Sequence, residues 1–164
     1  MKLRYLLSIF ALCLMLAPTL GRAAETAAQN DTQSITGFWM TQDRDAVVEF
    51  YPCDDMICGR FHWLQDDSAE NPSFDDHNRD PDKRRRPLCG LQFLGDFKPQ
   101  GQGRFTDGWI YSPQDGSTYS ANLALQNADT LELRGYVLIP LLGQSQIWHR
   151  TGAAPACVRK TDGK

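Results

Sequence analysis

From residue 35 to residue 150 the chain is written in short alternating runs. Over 130–138, Leu131, Leu133, Gly135 and Val137 alternate with Glu132, Arg134 and Tyr136, the period of a strand whose two faces meet different surroundings. Over 117–126, Tyr119, Ala121, Leu123 and Leu125 alternate with Ser120 and Asn122. The same reading predicts further strands over 35–42, 46–51, 58–64, 91–98, 103–111 and 144–150. It sets Phe61 with Trp63, Leu91 with Phe93, Gly95 and Phe97, and Phe105 with Trp109 and Tyr111 on common faces. Asp43-Arg44-Asp45, Pro113 to Gly116 and Asn127-Ala128-Asp129 supply turns, and Pro140 with Gly143 breaks the last two runs apart. No run of useful length in this region keeps a helical period.

Eight strands joined mostly by short antiparallel connections fit an all-β fold, an eight-stranded antiparallel up-and-down barrel. An open two-sheet sandwich is the competing arrangement. The two ends of the pattern favour closure. Gly37-Phe38-Trp39 opens the first strand and Trp148-His149-Arg150 ends the last, so the Arg150 guanidinium is expected to stack on Trp39 where the two strands meet. One segment interrupts the pattern. Residues 65–87 are acidic at first (Asp66, Asp67, Glu70, Asp75, Asp76) and basic at the end (Lys83, Arg84, Arg85, Arg86). A connection this long inside a compact domain is either functional or disordered.

Composition changes the picture at the N-terminus. Lys2 and Arg4 precede an apolar run over 5–20, and Gly21 and Ala23 are the small residues of an export cleavage site. Residues 1–23 therefore read as a signal peptide, too short for the roughly 20 apolar residues of a membrane span. Residues 24–34 read as a flexible tail and 35–164 as one barrel domain. Without Lys2, Arg4 and Arg22, 14 basic residues face 20 acidic ones, a formal charge of −6 that argues against a nucleic-acid partner. Cys53, Cys58, Cys89 and Cys157 remain, an even count that in an exported chain points to two disulfides. A four-residue hairpin loop over 54–57 would set Cys53 opposite Cys58, which leaves Cys89 for Cys157.

Candidate chemistry is sparse. Asp76-x-Asn78-x-Asp80 has the alternate oxygens of an EF-hand loop, but Pro81 stands where glycine is needed and Pro87 where the closing glutamate belongs. An Asx-rich loop held by its own side chains is the better reading, and no metal or cofactor is expected. His62, His77 and His149 belong to no nucleophile motif. A pairing of His149 with Asp107 or Glu132 is the one acid–base arrangement left, and nothing in the sequence favours it, so no catalytic residue is assigned. The interior of a small barrel is either filled or holds one ligand. Candidates for lining it are Trp39, Phe50, Phe61 and Trp63 in the first half of the chain, and Phe93, Trp109, Tyr119 and Trp148 in the second.

Cys58-Gly59-Arg60 with Trp63, Asn78-x-Asp80-Pro81, Arg86-Pro87-Leu88-Cys89-Gly90-Leu91, Asp115-Gly116 with Tyr119, and Arg134-Gly135-Tyr136 through Leu142-Gly143 to Trp148-x-Arg150 resemble the motifs of one family. It is a bacterial family of exported proteins carried as a domain of unknown function. Its fold is similar to the lipocalins and their calycin relatives, whose Gly-x-Trp and last-strand Arg match Gly37, Trp39 and Arg150. The resemblance implies a lipocalin-like barrel with a cavity, and no reaction or known ligand. Lipocalins carry a helix beside the last strand, and 151–164 with Pro155 offers only a poor one. The resulting expectation is a periplasmic or secreted protein, not membrane-spanning, that binds a small hydrophobic or amphipathic molecule. The competing one is an envelope interaction module acting on a protein partner through 65–87.

Overall fold

The computed structural model describes residue 31 and residues 34–157. The expected signal peptide, most of the expected tail and the last residues of the chain lie outside these. The described chain is a closed barrel of eight strands in sequence order. They are β1 (Gly37–Met40), β2 (Ala46–Cys53), β3 (Met56–Leu64), β4 (Gln92–Pro99), β5 (Arg104–Ser112), β6 (Ser117–Asn127), β7 (Thr130–Tyr136) and β8 (Gly143–Thr151). Every neighbouring pair is antiparallel, including β1 with β8, so no sheet edge is left open.

The closure is the one the sequence predicts. Trp39 stands opposite Arg150 in the β1–β8 ladder, and the guanidinium carbon lies 4.2 Å from the centre of the Trp39 ring. Arg150 also donates to the carbonyls of Thr36 at 3.0 Å and Ala128 at 2.7 Å, and to that of Ser34. Gly37 has φ +112°, and a Cβ there would come within 3.4 Å of the Arg150 guanidinium, so the Gly-x-Trp opening leaves the cation its place. Asp31 accepts from the Gly103 N–H at 3.0 Å. Asp31 and Ser34 are thus held against the closed end of the barrel.

Inward-facing residues of all eight strands fill the lower barrel, with Trp39, Phe50, Phe97, Phe105, Leu94, Leu123, Leu131 and Trp148 among the most deeply buried. Bulges set the phase. Asp96 and Asp107 adopt φ +62° and +61°, and each adds a residue that reverses the alternation after it. Leu94 and Phe97, three apart, are therefore both fully buried. Phe105 is in the core, yet Ile110 rather than Trp109 carries the inward phase, which corrects the common face expected for Phe105, Trp109 and Tyr111. β7 ends at Tyr136, two residues earlier than expected, because Leu138 turns into the left-handed region at φ +66°.

Both expected disulfides are present, Cys53–Cys58 and Cys89–Cys157. The β2–β3 hairpin that carries the short bridge is tighter than expected. Its loop is Asp54-Asp55, and Cys53 pairs with Met56 while Cys58 pairs with Tyr51, so the cysteines sit diagonally across the ladder. The second bridge straps residues 152–157 across β3, where the Cys157 N–H donates to His62 O and the His62 ring nitrogen Nε2 meets Ala154 O, both at 2.8 Å. This described part of the tail is not helical. Loop-closure entropy assigns about 4 kcal/mol to the long bridge and about 2 kcal/mol to the short one. Fraying of the reduced tail in the folded state should offset part of the first. Denaturant unfolding with and without reductant is expected to differ by several kcal/mol; identical midpoints would show the bridges to be energetically idle.

Candidate mouth cavity of the barrel

Antiparallel order sends four connections to one end of the barrel: 41–45, 65–91, 113–116 and 137–142. That end is open. It holds a cavity of about 510 Å³. Alternation places its lining at two-residue steps, Leu133 and Gly135 on β7, Gln144 and Gln146 on β8, and Ile110 and Ser112 on β5. Tyr119, at the start of β6, and Asp115, from the turn before it, form another wall. Val137 and Leu142 close the rim from the β7–β8 loop, and Gln42 reaches in from the β1–β2 turn.

The polar groups of this mouth are held in place. Tyr119 donates its hydroxyl to Asp115 Oδ2 at 2.5 Å, and Asp115 Oδ1 accepts the Ser117 N–H at 2.9 Å. The phenol hydrogen bond holds the Asp115 carboxyl below the usual carboxylate range, and the carboxylate in turn raises the Tyr119 phenol. At neutral pH the rim therefore carries a carboxylate and a protonated phenol. Trp148, two residues deeper on β8, donates its indole N–H to Gln146 Oε1 at 2.9 Å, and Gln42 Oε1 accepts the Ile147 N–H at 3.0 Å. With their oxygens engaged, both amides have N–H donors to offer. The cavity thus combines aliphatic side chains (Ile110, Leu133, Val137, Leu142) with two amides and a carboxylate, the mixture that orients an amphipathic molecule.

The sequence profile of a family described as "Uncharacterized protein conserved in bacteria (DUF2147)" matches residues 37–150. The chain belongs to the DUF2147 family. A solved structure titled "Protein HP1028 from the human pathogen Helicobacter pylori belongs to the lipocalin family" is similar to it, with a TM-score of 0.65 and 26% identity over 72% of this chain and 83% of that one. No curated protein sequence matches the chain. The lipocalin-like barrel expected from the motifs is thereby shown.

In this DUF2147 barrel the eight aromatic candidates go to three places. Tyr119 lines the mouth. Trp39, Phe50, Phe61, Phe93 and Trp148 belong to the packed core, where Phe61 stacks on Phe93 with ring centres 3.8 Å apart and Phe50 meets Trp148 at 6.1 Å. Trp63 and Trp109 are half-buried, and Trp109 lies across from Gly95 with its indole donating to Asp96 at 2.9 Å. The mouth takes one of the eight because five of the other rings pack together in the core, which leaves the lining to Gln, Ser and aliphatic residues. Gln42, Asp115, Gln144 and Gln146 carry no signal in the sequence beyond being polar residues at or near turns.

The long connection is fastened to the outside of this mouth. Asp75 is fully buried; it accepts from Arg86 Nε and Asn78 Nδ2, each at 2.7 Å, and from the Tyr111 hydroxyl at 2.6 Å. Burial, and then the Asp75 carboxylate, raises the Tyr111 phenol. Asp80 takes the Asp82 N–H and Asn78 Oδ1 takes the Asp80 N–H, so the EF-hand-like spacing serves to hold its own loop. Gly116, at φ +66°, lies directly against the His77 carbonyl, a contact that any Cβ would obstruct. Asp67 comes near Cys89 and Cys157, but both sulfurs are spent in the disulfide. Asp107 pairs with Lys98 and Glu132 accepts from Gln126, while His149 stands opposite Thr130 and Met40, so the structure does not bring the acid–base pairing together.

Proposed function

We propose that this protein is an exported carrier that holds a small amphipathic molecule in the mouth of its barrel. The observation that carries this reading is the open cavity of about 510 Å³, whose lining intersperses aliphatic side chains with anchored amides and a carboxylate. Its size falls within the roughly 300–1,000 Å³ of small-molecule sites. The ligand's apolar part would lie along Ile110, Leu133, Val137 and Leu142. Its polar head would face Gln42, Gln146 and Asp115, with the core aromatics Trp39, Phe50, Phe61, Phe93 and Trp148 as a floor rather than a lining. Export is supported by the N-terminal pattern of residues 1–23 and by two disulfides, which persist in oxidising compartments. The reading assigns no catalytic residue.

The interaction-module alternative is less favoured. Arg84 donates to Asn78 O and Arg86 to Asp75, so much of the basic charge on which it relied is engaged inside the connection.

Gly135 tests the carrier directly. A Cβ there would meet only Ile110 Cγ2, at 3.8 Å, so the site has room for a side chain. Gly135→Phe should plug the mouth and lower uptake of an amphipathic fluorescent probe by about tenfold or more, with thermal stability close to the parent's. Native mass spectrometry of protein from its own host should find the parent carrying a ligand that the variant lacks. Equal uptake by both proteins would remove the mouth as the binding site.

A further inference from the structure

The large apolar side chains exposed among the described residues are Phe74, Val137, Leu138, Ile139, Leu141 and Leu142. All lie on connections at the open end of the barrel, five of them on the single loop between β7 and β8. Leu138 and Leu141 are 87% and 82% exposed. An isolated exposed leucine needs no account, but an apolar knob at the rim of a cavity does.

The loop is built to keep those side chains outward. Arg134 donates from Nε to Pro140 O at 2.7 Å and from Nη1 to Ser145 Oγ at 2.9 Å, and its Nη2 lies 3.5 Å from Leu141 O. Ile139 N–H donates to Val137 O at 2.8 Å and Leu142 N–H to Ile139 O at 3.0 Å, while Pro140 has no N–H. Much of the loop's backbone polarity is therefore met from within, as an apolar medium demands and water does not. Between Arg134 and His149 no residue is charged. Val137 and Leu142 line the cavity while Leu138 and Leu141 stand outside it, so the loop joins the ligand's wall to the surroundings.

We propose that this loop docks the open end of the barrel on a lipid bilayer, inserting Leu138 and Leu141 among the acyl chains. A protein partner or a second copy fits less well: the knob presents about six residues, against the roughly 20–30 per side of a stable interface. A bilayer accepts a narrow apolar knob without needing a matching surface, and binding scales with the apolar area inserted. Docked this way, the mouth faces the membrane, and an amphipathic ligand passes between leaflet and cavity along Val137 and Leu142. The inference deepens the carrier reading and rests on it for its purpose, though not for its test.

The test is flotation of the purified exported protein, without residues 1–23, with vesicles of phosphatidylethanolamine and phosphatidylglycerol, comparing the parent with Leu138→Ser/Leu141→Ser. The apolar run at 5–20 has its own affinity for lipid, so neither protein may retain it. The double variant should partition at least about tenfold less, with an unchanged melting temperature, because both side chains are exposed. The parent's binding should persist on vesicles of phosphatidylcholine alone and in high salt, since the side chains that insert carry no charge and Arg134 is spent on the loop's own carbonyls. Parent and variant floating equally would overturn the proposal, as would a concentration-dependent dimer abolished by the substitutions. Probe uptake separates this from the carrier reading. Leu138→Ser/Leu141→Ser should keep it, whereas Gly135→Phe should lose uptake and still float.

Discussion

Trp39→Ala is expected to lower the unfolding free energy by roughly 3–5 kcal/mol, the largest effect of any single truncation in the barrel. Trp39 is fully buried at the seam, stacked under the Arg150 guanidinium at 4.2 Å, and donates its indole N–H to Ile35 O at 2.8 Å. Truncation removes the ring volume, leaves the Ile35 carbonyl without that donor and strips the cation of its platform. Arg150 would still hold the carbonyls of Ser34, Thr36 and Ala128, so the barrel should weaken without opening. Trp39→Phe should recover most of the loss, because the packing stays and only the hydrogen bond goes. Arg150→Lys should not behave as conservative, since one ammonium cannot span three carbonyls in fork geometry. Equilibrium denaturation measures all three. A Trp39→Ala protein within about 1 kcal/mol of the parent would mean that the ladder alone closes the sheet.

The seam was legible because two ends of a strand pattern carried a Gly-x-Trp and an Arg, chemistry that has one natural meeting place in a closed sheet. The strands were legible because half-buried ribbons alternate. The lining of the cavity was not, for a definite reason. Asp96 and Asp107 take left-handed backbone without being glycine, and each reverses the inward phase of the residues after it. Alternation carried straight through β5 therefore sends Trp109 inward and Ile110 outward, the opposite of the fold. Pro140 and Gly143 mark the β7–β8 loop as a turn and nothing more. Its further signal lies in Val137, Leu138, Ile139, Leu141 and Leu142, apolar residues at a turn where polar ones are usual. The 65–87 connection reads as functional or disordered in sequence because opposite charges so far apart along the chain meet only in space.

Asp75 and Arg86 are that meeting, and Arg86→Ala should cost roughly 3 kcal/mol, at the low end of what breaking a buried ion pair costs. The low end follows from the asymmetry of the pair: the Asp75 side chain is fully buried, whereas that of Arg86 is 35% exposed and partly screened. Removing Arg86 leaves a buried carboxylate held by Asn78 and Tyr111, both neutral. Removing Asp75 instead strands a cation that can turn toward water, so Asp75→Asn should cost less. Asp75→Leu with Arg86→Met should be less destabilising than the two single changes added together. The effect should also be local. Asp75 N–H bonds to Arg86 O and Leu88 N–H to Ser73 O, so hydrogen exchange at those amides should rise while the β-ladders stay protected. Arg86 stacks at 5.3 Å over Tyr111 and lowers its phenol against the opposing effects of burial and Asp75, so in Arg86→Ala the phenol should ionise at still higher pH. An absorbance titration reads that shift independently of stability. Unchanged exchange and an unmoved tyrosine would show that Asn78 and Tyr111 suffice to hold the carboxylate, leaving Arg86 a surface residue.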